Sequence, residues 1–118
     1  MRKILAALML VVLSASVCFA LTDAEYLRMK KTNADFARAD RRLSQVWKKL
    51  KGSLSKEVFA ELQEYQREWI DSGRDIEAQG LMDEGYSRVE AYTMATSDRA
   101  DALPRLAKDI ARSLRNSR

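Results

Sequence analysis

Between Tyr26 and Leu50 the residues placed to face a core are Tyr26, Met29, Asn33, Phe36, Asp40, Leu43, Trp47 and Leu50, in steps alternating between three and four. A strand repeats every two residues, so this spacing specifies one face of a long amphipathic helix. Thr22 or Asp23 can cap its start, and Gly52 and Ser53 end it. Ser55 offers a cap for a second helix with Glu57 in its first turn. Its inner face runs Phe59, Leu62, Gln66, Trp69, Gly73, Ile76, again in steps of three and four. Gly80 to Gly85 reads as a loop. A third helix begins near Tyr86 or Ser87 and carries Val89, Tyr92, Thr93, Thr96, Ala100 and Leu103, until Pro104 kinks or restarts it. Leu106, Ile110 and Leu114 continue an apolar stripe through a basic tail. One Pro and four Gly are too few turn signals for an all-β chain. The expected fold is all-α: a small antiparallel three-helix arrangement with a core over about 26–103 and a short helical tail over 104–118.

The N-terminus reads as an address. Met1-Arg2-Lys3 is basic, Ile4 to Leu13 is unbroken apolar sequence, and Cys18-Phe19-Ala20 places small residues at the −3 and −1 positions. This is the layout of a secretory signal peptide over 1–20, cleaved after Ala20. An uncleaved anchor over Ile4 to Leu21 and a lipid on Cys18 are the competing readings. Val17 counts against the lipid, because the processing site wants a small residue before the Cys. The mature chain is then periplasmic or secreted and does not span the membrane. It has no Cys and a net charge of +2. So small a charge, in an exported chain, excludes a nucleic-acid binder.

The residue inventory also narrows the chemistry. There is no His, which removes the commonest general base and metal ligand, and a lone Cys removes zinc and disulfide frameworks. No metal, cofactor or catalytic residue is expected, and the chain is read as not an enzyme. Asp40 and Gln66 lie on inward stripes, with Arg67 and Arg74 on or beside the helix that should face Asp40. A buried carboxylate needs a partner, so an inner polar network of Asp40, Gln66, Arg67 and Arg74 is expected.

Three segments resemble the LprI-type lysozyme-inhibitor family of small exported bacterial proteins. Ala39-Asp40-Arg41-Arg42-Leu43-Ser44-Gln45-Val46-Trp47 resembles its A-D-x-x-L-N-x-x-Y segment. Gln66-Arg67-Glu68-Trp69 with Arg74-Asp75 resembles Q-R-x-W…R-D, and Thr96, Arg99 and Leu103 fit a later T-x-x-R-x-x-x-L element. Ser44 replaces the usual Asn and Trp47 the usual Tyr. Four residues separate Trp69 from Arg74, where the family has three. On an ideal helix that moves the Arg from about 40° to about 140° away from the Trp. Either Arg74 has lost its usual role or a π-bulge near Gly73 absorbs the extra residue. The family's cysteines are missing, and Ala78 and Ala91 stand where a bonded pair would sit. The resemblance implies a helical envelope protein and, for some members, inhibition of lysozyme. Its motif core here is Leu43, Trp47, Trp69, Thr96 and Arg99.

Charge is unevenly distributed. Residues 21–54 carry nine basic and four acidic side chains, residues 55–85 three and nine, and residues 86–118 seven and four. In the acidic block Glu57, Glu61, Glu64, Glu68, Asp71 and Asp75 step by four and three, each two residues from an inward position. They fall about 200° around the helix from the core side. This stripe is either a solvated face or a docking surface for a cationic partner such as lysozyme, and Glu57, Glu61, Glu64, Glu68 and Asp71 are the candidate surface. The functional expectation is an exported helical binding protein that inhibits lysozyme by contact. The alternative is a structural or stress-related envelope protein.

Overall fold

The computed structural model describes residues 20–117; the signal-peptide and Cys18 expectations fall on residues 1–19 and lie outside them. Helix α1 spans Asp23–Thr32, α2 Ala34–Ser53, α3 Lys56–Glu68, α4 Arg74–Asp83 and α5 Arg88–Asn116. A single π-helical turn, Trp69–Gly73, joins α3 to α4 in one continuous rod. The fold is all-α, with no strand among the described residues. None of these helices is long and apolar enough to cross a membrane.

The long first helix expected from the spacing is two helices. Asn33 leaves the helical conformation (φ −124°, ψ 112°), and its side chain accepts the Phe36 N–H at 2.9 Å. Asparagine competes with helix continuation by capping the next one. The inward polar residue of the sequence pattern is therefore a cap, and α1 folds back on α2, where Tyr26 meets the Phe36 ring edge-on at 5.8 Å. The Gly80–Gly85 loop is also shorter than expected. Helix α4 continues to Asp83, because Leu81 and Met82 pack on the core. Gly85, at φ 108°, turns the chain while Gly85 N–H and Tyr86 N–H cap the carbonyls of Met82 and Leu81.

Helix α5 starts at Ser87, which forms a capping box with Glu90. It runs through Pro104 without restarting. An internal proline costs about 3 kcal/mol, but the buried Leu103, Ala107 and Ile110 lie on either side of Pro104 in one cluster with Val58 and Leu62. Packing on both flanks outweighs the break. The same cluster takes in Leu106 and Leu114, so the basic tail docks on its own bundle.

Helix α5 is the central rod, against which α2, α3 and α4 all pack. Arg42 of α2 bonds the carbonyl of Ser97, and Leu50 shares a cluster with Ile110, so α2 and α5 run the same way. Gln66 meets Arg99, while Val58 and Leu62 meet Leu103 and Ile110, so α3 runs the opposite way. The second core cluster joins Leu21, Met29, Phe36, Ala78, Ala91 and Tyr92. Ala78 and Ala91 are both fully buried there.

Candidate functional site

The π turn decides which residues the rod presents. Ile76, expected inward, is 71% exposed, and Ala78 takes the core position instead. One extra residue rotates everything after it by about 100°. Arg74 N–H bonds the carbonyl of Trp69 across the turn, and its guanidinium lies 5.9 Å from the Trp69 ring. The bulge thus absorbs the fourth residue between Trp69 and Arg74. It also turns Asp75 off the acidic stripe: Asp75 is half-buried and accepts the Tyr92 hydroxyl at 2.5 Å and the Leu21 N–H at 3.1 Å.

The inward polar residues find other partners than the expected ones. Buried Asp40 accepts the Tyr26 hydroxyl at 2.6 Å and pairs with Lys30 at 3.4 Å. Because α1 folds back, it supplies the partner that Arg67 and Arg74 were expected to be. Burial, together with the bond to Asp40, raises the Tyr26 phenol above its ordinary value. Gln66 is buried and accepts Arg99 Nε at 2.8 Å, while Arg99 Nη2 reaches the Tyr65 carbonyl at 3.3 Å. Arg99 also lies 5.4 Å over the Trp69 ring. Arg67 points outward to Glu64 at 2.9 Å and takes no part. Thr96 is buried and donates to the Tyr92 carbonyl. Two network members, Asp40 and Gln66, are therefore buried, each with a hydrogen-bond partner outside the expected set.

Asp40→Ala should cost about 1–2 kcal/mol, less than loss of a buried ion pair would, because the half-exposed Lys30 head can return to water. Asp40→Asn, which keeps an acceptor for Tyr26, should cost less than the alanine change. Urea unfolding midpoints of the two variants check both values.

Helices α2 and α3 meet near their connecting turn, where Trp47 packs on Phe59 at 5.0 Å. Farther along they part, leaving a cleft of about 450 Å³ lined by Leu43, Ser44, Trp47, Gln63, Gln66 and Ile70, with exposed Lys48 and Arg67 beside it. It borders a smaller hollow that also touches Leu43, Gln66 and Ile70 and contains Tyr26, Asp40, Trp69 and Arg74. Of the residues carrying the family resemblance, Leu43, Ser44, Trp47, Gln66 and Arg67 line the cleft, and Asp40, Trp69 and Arg74 line the hollow beside it.

The acidic residues Glu57, Glu61, Glu64, Glu68 and Asp71 are all exposed. Beside them Glu61, Tyr65, Leu106, Asp109, Ile110 and Leu114 line a cleft of about 250 Å³ between α3 and α5. Across α4 and α5, the Glu77 carboxyl is raised from its ordinary value, first by burial and then by its contact with Asp98. Among the described residues, no group of three or more His, Cys, Asp or Glu could hold a metal ion. Sequence reasoning missed Asp75–Tyr92 and the Arg88–Glu25 pair (2.5 Å). The first had a signal, since the extra residue after Trp69 rotates Asp75 as well as Arg74; the second had none.

The fold and these surfaces define a small all-helical module stapled by Arg–Gln, Arg–Glu and Tyr–Asp contacts. The family model described as lysozyme inhibitor LprI matches residues 22–114, and the chain belongs to this family. No curated protein and no solved structure matches it.

Proposed function

We propose that the protein is exported, is not an enzyme and inhibits lysozyme by protein–protein contact through the acidic face of α3. The single observation that carries this reading is the exposed stripe Glu57, Glu61, Glu64, Glu68 and Asp71, in a chain of the lysozyme-inhibitor family. Lysozyme is strongly cationic, and the α2–α3 cleft, flanked by Lys48 and Arg67, has the wrong sign for it. The cleft beside Glu61 suits it better. A Lys or Arg stem would lie along Leu106 and Leu114 with its head between Glu61 and Asp109. Like charges spaced three and four apart mildly oppose their own helix, and a binding role gives them a use.

Reversing Glu61, Glu64 and Glu68 to Lys keeps helix propensity nearly unchanged. Binding should weaken tenfold or more, mainly through slower association, and its salt dependence should flatten. Surface plasmon resonance across a salt series measures both. Unchanged inhibition by the variant would move the contact off α3. A wild-type protein without effect on lysozyme would favour a structural envelope role.

A further inference from the structure

Residue 21 is where the sequence places signal-peptide cleavage, and the fold places a polar socket at the same residue. The Leu21 side chain is buried with Phe36, Ala78 and Tyr92. Its backbone nitrogen donates to Asp75 Oδ1 at 3.1 Å, and the same oxygen accepts the Tyr92 hydroxyl at 2.5 Å. Both donors are neutral, and among the described residues no cation is bonded to Asp75. The guanidinium of Arg88 lies 5.2 Å over the Tyr92 ring but is committed to Glu25 by two bonds of 2.5 and 2.8 Å. Its Nη2 also touches the Ala20 carbonyl at 3.4 Å.

We propose that Asp75 is the receptor for the α-ammonium group created by cleavage between Ala20 and Leu21, so that processing tightens the mature fold. Hydrolysis by a leader peptidase breaks the bond from the Ala20 carbonyl carbon to the Leu21 nitrogen. Water supplies the hydroxyl to that carbon and one proton to the nitrogen. The free amine takes a further proton from solvent, since its ordinary pKa is about 7.7–8.0. The nitrogen stays anchored by the buried Leu21 side chain, and a single neutral donor becomes a charged one with three hydrogens. Charge-assisted hydrogen bonds are roughly twice as strong as neutral ones. The inference rests on the cleavage site and is independent of any lysozyme activity.

The test compares thermal unfolding at pH 6 of the chain beginning at Leu21 with the same chain carrying one extra Ala before it. The Leu21 form should melt higher by about 4–8 °C. Asp75→Asn should remove the gap, whereas Tyr92→Phe, which spares the carboxylate, should keep it. Equal melting points in the unmutated pair, or a gap that survives Asp75→Asn, would overturn the proposal. So would a mass for the exported protein that starts at any residue other than Leu21, an outcome that separates a wrong cleavage site from a wrong socket.

Discussion

Deleting Ser72 should leave the protein folded, with a melting temperature at or above that of the intact chain, whereas deleting Gln45 should abolish cooperative unfolding. Both are exposed residues in the middle of helical rods. They differ in what the rod does with one residue fewer. Ser72 sits in the π turn, where Arg74 N–H reaches back five residues to the Trp69 carbonyl. Removing it closes the turn to ordinary α-helix and restores three residues between Trp69 and the arginine. The faces before and after stay where they are, with Leu62 and Ala78 still in the core. Helix α2 has no such slack. Loss of Gln45 rotates residues 34–44 by about 100° against the rest, turning Phe36 and Ala39 off the core. Phe36 is 1% exposed, and expelling it alone should cost about 3–5 kcal/mol. Circular dichroism melts of the two deletions decide this. Comparable damage from both would mean that the π turn is not the absorbed insertion.

Arg99→Ala should cost about 2–4 kcal/mol, a large effect for a residue that is not fully buried. The side chain holds α5 to α3 by a bond to Gln66, a second to the Tyr65 carbonyl and a stack on Trp69. Removing it leaves the buried Gln66 without its partner, and that orphaned amide dominates the loss. Arg99→Lys should recover only part, since one ammonium cannot fork to two acceptors while also sitting over the Trp69 ring. Urea titrations with unchanged slope would attribute the loss to native contacts rather than to the unfolded state.

The helical faces were legible in the sequence wherever spacing and chemistry agreed. Leu62 and Trp69 on α3 and the π turn, and Tyr92, Thr96, Ala100 and Leu103 on α5, needed only periodicity, whereas Val58 is buried in place of the expected Phe59; Ser55 and Ser87 needed only cap chemistry. Asn33 defeated the reading because it occupies an inward position of the three-and-four pattern. Periodicity alone cannot separate a buried amide from a cap. Asp40 was marked as needing a partner, and the Tyr26 hydroxyl that bonds it depends on α1 folding back, which follows from the break at Asn33. Pro104 and Gly80 were read by local propensity, which the packing around Leu103 and Leu81 overrides. The four-residue gap after Trp69 carried the most information. It left a bulge as one of two outcomes, and the bulge brings with it the inward turn of Asp75, which spacing alone had assigned to the acidic stripe.

If the acidic face of α3 engages a cationic lysozyme through charge, inhibition must weaken as salt screens it. The rate of cell-wall lysis by purified lysozyme, with and without stoichiometric protein beginning at Leu21, is compared at about 10 mM and about 500 mM salt. The Debye length falls from about 30 Å to a few ångströms over that range. Strong inhibition at low salt that fades at high salt is the expected result. Lysis unaffected by the protein at low salt would contradict that engagement.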